Sequence, residues 1–223
     1  MANLPRSAKS GKDWTPNDLR SYNISLNQQF DPLQFFGVQV GRGSDILHIH
    51  LPTSSQRQEL PRPSVSQELL DVDNAADMQE DRHAELINLL DLTRMTPSED
   101  EHPVIDFTIK LLDVLGYSRR DRVARTKANL GFLTCGKRRY AEPDVCIFDR
   151  SRGETLVIIQ VYKGRLDMLD GTESRLVAGA VAAFDENNAM RGEYGLRPLS
   201  RMVMYFNKPC LSNHVFLRCL ASH

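Results

Sequence analysis

Residues 154–162 carry an uninterrupted apolar run, Leu156-Val157-Ile158-Ile159, that leads into Gln160-Val161-Tyr162-Lys163. Branched aliphatic residues over so short a stretch read as a strand, and a strand apolar at consecutive positions is covered on both faces. Covering layers are present in the sequence. After Pro103, the residues Val104, Phe107, Leu111, Leu112 and Leu115 fall near helical spacing, Glu99, Asp100 and Glu101 complement the positive end, and Gly116 closes the run. Between residues 172 and 190 an alanine-rich stretch predicts a second helix, capped by Thr172 or Ser174 and striped by Leu176, Val177, Ala180, Val181 and Phe184.

Shorter strands surround the central one. Residues 129–135 and 138–142 read as strands about a Gly136-Lys137 turn, 145–148 continues as a strand, and 202–206 and 214–220 are two late strands. The order after Pro103 is one helix, several strands, a helix and two strands. We therefore expect an α/β or α+β fold in which helices pack on a mixed sheet.

The first hundred residues are less regular. Residues 1–13 read as a disordered tail, and Thr15-Pro16-Asn17-Asp18 as a helix start with a threonine cap and proline at the first helical position. Residues 14–66 form a mostly helical extension and linker, with Phe35-Phe36 docking on the core. Residues 67–223 are the core, entered through helical pieces whose acidic faces read as solvated.

With 41% hydrophobic and 26% charged residues the chain has an ordinary globular composition, and its net charge of −1 gives no global bias toward nucleic acid or membranes. No apolar run approaches the roughly 20 residues needed to span a bilayer, and residues 1–14 lack the apolar core of a secretory signal. The expectation is an intracellular protein, nuclear or cytoplasmic. Cys135, Cys146, Cys210 and Cys219 include no Cys-x-x-Cys and read as buried free thiols. His48 and His50 share a strand face, yet no third ligand accompanies them.

One pattern carries chemistry. Asp144, in Glu142-Pro143-Asp144-Val145, reads as an acid on one strand and Lys163 as a lysine on the next. Alone, Asp144 reads as a strand-end acid and Lys163 as a solvated residue; together they outline a metal-dependent phosphodiesterase centre. Such a centre needs two or more carboxylate oxygens for Mg2+ and a lysine to orient water or neutralise charge. Alternation places Val161 with Lys163 and Glu142 with Asp144, so the missing carboxylate falls at Val161, while Gln160 turns to the other face and bonds backbone or helix. Glu142, Glu101 or Asp106 are the acids available to fill the gap. Arg119, Arg120, Arg122, Arg125, Lys127, Arg138 and Arg139 form a phosphate-binding rim on one reading and pair with the acidic helices on the other.

At these residues the chain resembles the PD-(D/E)XK nuclease-like superfamily, and in particular a set of uncharacterised fungal proteins with that core. The matching pieces are Trp14-Thr15 through Tyr22-Asn23-Ile24, Phe35-Phe36, Leu115-Gly116-Tyr117, Pro143-Asp144-Val145-Cys146, and Ala183-Phe184-Asp185-Glu186-Asn187-Asn188. The resemblance implies a restriction-endonuclease-like core of helix, three strands, helix and strand, Mg2+ or Mn2+ as cofactor, and Asp144 and Lys163 as catalytic residues. Where the relatives read Gln-Glu-Asp-Lys this chain reads Gln160-Val161-Tyr162-Lys163, and Arg175 and Gly179 stand about where their helix carries a glutamine and a glutamate. Three readings follow: a nuclease-like fold that has lost cleavage and binds nucleic acid or protein, an active nuclease using a migrated acid, or a protein-interaction module.

Overall fold

The computed structural model describes residues 6–25, 66–72, 74–97, 100–161 and 169–199, with the backbone of strands 201–207 and 214–222. Phe35, Phe36, His48, His50, Tyr162 and Lys163 lie outside the described residues. The helices are α1 (Pro16–Ser21), α2 (Glu68–Asp71), α3 (Asp81–Met95), α4 (His102–Val114) and α5 (Leu169–Glu193). The strands are β1 (Arg122–Thr126), β2 (Leu130–Thr134), β3 (Lys137–Ala141), β4 (Val145–Asp149), β5 (Glu154–Val161), β6 (Arg201–Asn207) and β7 (His214–Ser222). None of the described helices is long and apolar enough to cross a membrane.

β5 is the middle strand of a five-stranded sheet ordered β1-β4-β5-β7-β6. Its alternate residues feed two cores. Val157, Ile159 and Val161 join Val145 and Ile147 of β4 and Val104, Ile105 and Leu112 of α4, whereas Ile158 joins Cys146 and the buried stripe of α5. The fold is thus α+β, a sheet between α4 on one face and α5 on the other. The expectation of a mixed sheet is corrected: every pairing is antiparallel, because β7 lies between β5 and β6. β5 and β6 still run in the same direction, as a crossover through a helix requires.

Local signals explain the helices. Thr15 and Asp18 close a capping box on α1, with the Asp18 carboxylate accepting from the Thr15 N–H at 2.9 Å and hydroxyl at 2.6 Å. Burial raises the Asp18 pKa, but the Thr15 bonds and the Lys9 ammonium at 2.9 Å outweigh it and hold the carboxyl below its ordinary value. Gly116, at φ 77°, ends α4 by a Schellman turn in which Tyr117 N–H donates to the Leu112 carbonyl at 2.9 Å. The far face of α4, with Phe107 and Val114, packs on Leu86 of α3.

Residues 6–13, expected as tail, are placed. Gly11 sits so close to the hairpin that a Cβ there would lie 2.6 Å from the Ala141 Cβ, so only glycine fits. Trp14 stacks on Tyr22 and meets Phe132 edge-on, which seats this N-terminal segment against β2 and α5. β2 and β3 form their own two-stranded sheet. Their turn is Cys135-Gly136, both at positive φ, one residue earlier than expected, so Lys137 belongs to the strand. Cys135 is exposed in that turn and not buried, whereas Cys146 is buried and its thiol is pushed up to about 11 by desolvation.

The segment resembling Ala-Phe-x-x-Asn-Asn fastens α5 to the strands. Asn187 donates to the Thr155 carbonyl and accepts from its N–H at 2.9 and 2.8 Å, taking the place of a strand neighbour. Asn188 accepts from Leu199 N–H at 2.6 Å, and the Arg191 guanidinium reaches the buried Glu154 carboxylate at 2.7 Å.

Candidate functional site

The chain leaves the hairpin at Ala141, turns through Glu142-Pro143, and enters the main sheet at Val145. Asp144 stands at that junction with only 1% of its surface exposed. β4 pairs with β5 so that Val145 faces Ile159, which puts Asp144 opposite Gln160. Directly opposed residues of an antiparallel pair project to the same face, here the α5 side. The Gln160 amide accordingly donates to Asp144 Oδ2, and Val161 N–H donates to the same oxygen at 2.8 Å.

The other oxygen is taken by a cation. β1 lies on the far side of β4, with Thr126 opposite Val145, so Lys127 follows directly beside Asp144. Its N–H donates to the Asp144 carbonyl at 3.2 Å and its ammonium to Asp144 Oδ1. Lys127 adopts φ 47°, a left-handed conformation that costs a non-glycine residue about 1 kcal/mol or more and persists where surroundings impose it. The lysine grips Asp144 by backbone and side chain at once. A carboxylate offers about four lone-pair positions, and three of them are filled here, one by a full positive charge.

This geometry corrects two expectations. Val161 does not face the Asp144 carboxylate: its side chain, 3% exposed, packs with Val145, Ile159 and α4 on the opposite side of the sheet. Gln160 does not turn away to backbone or helix; it is the side chain that touches Asp144. Asp144 and Val161 lie on opposite faces because Pro143 interrupts the strand and the register of β4 on β5 sets Asp144 against Gln160.

The expected acids stay apart. Glu142 is exposed beyond the turn, Asp106 is exposed on α4, and Glu101 is the N-cap of α4, the helix covering the other face. None joins Asp144: among the described residues, one group of three histidine or acidic side chains can hold a metal ion, and it is Glu68, Glu80 and His83. There the His83 ring, 1% exposed, meets Glu68 Oε2 at 2.5 Å through Nδ1. That bond, with the Gln79 N–H, holds the Glu68 carboxyl below its usual range.

Gly179 of α5 is pressed against the sheet. A Cβ there would lie 3.2 Å from Ile158 Cδ1 and 4.0 Å from Pro143 Cβ. A side chain at this position would need the tip of Ile158 to give way by a few tenths of an ångström.

The basic residues divide into separate sets. Arg119 and Arg120 are exposed before β1, with Arg120 at φ 50°. Arg122 stands 3.8 Å from the buried Asp149 carboxylate, and Arg139 donates to the Ala8 carbonyl at 3.0 Å, so both serve the fold. Arg125 lies over the Phe148 ring at 5.4 Å, and it and Arg138 are the cations beside Glu186. Burial raises the Glu186 carboxyl above its ordinary value despite both arginines. No ion pair among the described residues joins these arginines to the acidic helices; α3 pairs within itself and with Lys110 instead.

Lys127 and Gln160 entered no expectation as partners of Asp144. Recognising β1 as the strand beside β4 is the signal that would have found the first, and the register of β4 on β5 the second. Comparison with protein-family models, with curated proteins and with solved structures returns no match.

Proposed function

We propose that this chain is a nuclease-like domain that has lost metal-dependent cleavage and retains binding, with Lys127 taking over the cation position at Asp144. The observation that carries this reading is the threefold hold on the Asp144 carboxylate: a buried acid bonded by an ammonium, an amide and a backbone N–H. A divalent ion there has to displace the ammonium and finds, among the described residues, no second carboxylate to complete an octahedral oxygen shell. The order α4, β1, β4, β5, α5, β6 supports a restriction-endonuclease-like core, with the β2–β3 hairpin and β7 as additions.

For the binding partner, nucleic acid suits the exposed side chains of Arg125 on β1 and Arg138 on β3, the two cations beside Glu186 of α5. Two phosphate contacts give a log–log salt slope of roughly −2 on duplex DNA. Incubation with single- and double-stranded DNA and RNA in Mg2+ or Mn2+ is expected to give no cleavage above an Asp144→Asn control. Filter binding is expected to weaken with salt at that slope and to fall to background in Arg125→Ala/Arg138→Ala. Cleavage abolished by Asp144→Asn would establish an active nuclease instead, and salt-indifferent binding would remove the phosphate interface.

A further inference from the structure

Apart from Asp144, the chain holds a second cluster of ligating side chains, where α2 meets the start of α3. Glu68 opens α2, Glu80 is the N-cap of α3, and His83 lies in its first turn. The imidazole is almost wholly buried, and its Nδ1 is fixed by Glu68. Its Nε2 makes no hydrogen bond with a described residue; the nearest carboxylate oxygen, Glu80 Oε2, stands 3.9 Å away. A buried ring nitrogen left without a hydrogen bond is unfavourable, so the position favours an occupant between nitrogen and carboxylate.

We infer that Glu80 and His83, with Glu68 orienting the ring, bind a divalent transition ion of the Zn2+ type that fastens residues 66–78 to α3. A metal-bound histidine commonly donates its other ring N–H to a carboxylate, the role Glu68 fills here. The donor set selects the ion class: imidazole nitrogen suits Zn2+, whereas Mg2+ prefers oxygen alone. Bonds of about 2.0–2.1 Å in a tetrahedron put neighbouring ligands about 3.3–3.4 Å apart, so Glu80 has to close in by about half an ångström. Its side chain is half exposed and free to adjust, giving up the Arg82 guanidinium now 2.5 Å from that oxygen. Water completes the shell on the exposed side. The inference is independent of the nuclease-like reading.

Calorimetric titration of the full chain with ZnCl2, paired with Co2+ absorption, tests this. Micromolar binding is expected in the parent, weakened about 10–100-fold by Glu68→Gln, which keeps both ligands and alters only the ring's support. Glu80→Gln, at a half-exposed position that leaves the core intact, is expected to remove binding with an unchanged circular dichroism spectrum. No binding at micromolar Zn2+, or equal binding by the parent and Glu80→Gln, would overturn the site.

Discussion

Lys127→Met is expected to destabilise the protein by about 3 kcal/mol, because it leaves the Asp144 carboxylate buried beside two neutral donors and no cation. In a chain of this size that corresponds to a fall in Tm of about 6–12 °C. Two features set the magnitude. Asp144 is 1% exposed, so its charge has little water to fall back on, while the Lys127 side chain is 51% exposed, so water reaches the vacated side and trims the loss. Lys127→Arg, which keeps the charge, is expected to lose much less. The double variant Lys127→Met/Asp144→Asn is expected to recover most of the stability, since the unpaired charge is gone. Thermal or urea unfolding of the four proteins reads this out; a Lys127→Met protein as stable as the parent would mean that the ion pair does not hold Asp144.

The two residues at the end of β5 are expected to differ in how an introduced acid responds to Mn2+. Val161→Glu drives a carboxylate into the apolar core beneath α4 and is expected to cost about 3–5 kcal/mol, with no gain in metal binding. Gln160→Glu sets a second carboxylate against Asp144. Its two carboxylates repel each other more than the single Lys127 ammonium offsets, and Mn2+ is expected to relieve this. The measurement is the rise in Tm on adding Mn2+, taken relative to the parent so that any ion at Glu68, Glu80 and His83 cancels. A rise confined to Gln160→Glu supports the geometry described. A rise in Val161→Glu would restore the valine as the vacated ligand position.

That reversal shows what a sequence does and does not carry. α1, α4, the hairpin, β4, β5 and α5 were readable because their signals are local: a capping box at Thr15 and Asp18, a left-handed glycine at Gly116, a turn at Gly136, an apolar run in β5. β1 was not, because Arg122, Arg125 and Thr126 gave it the look of a basic loop, and its strand character comes from pairing with β4. The site depends on that pairing. Asp144 stood out through its neighbours in sequence, but its actual partners arrive from β1 on one side and β5 on the other, and only the register of three strands brings them together. Glu68 and His83, 15 residues apart across two helices, were likewise hidden within a stretch that reads as an acidic surface.

The position of Lys127 is open to direct inspection. A crystal structure grown in Mn2+, with anomalous difference density collected for the metal, is expected to have the Lys127 ammonium on Asp144 Oδ1 and no manganese at that carboxylate. A manganese peak bonded to Asp144, with Lys127 displaced, would contradict the replacement of the metal by lysine and return the site to metal-dependent chemistry.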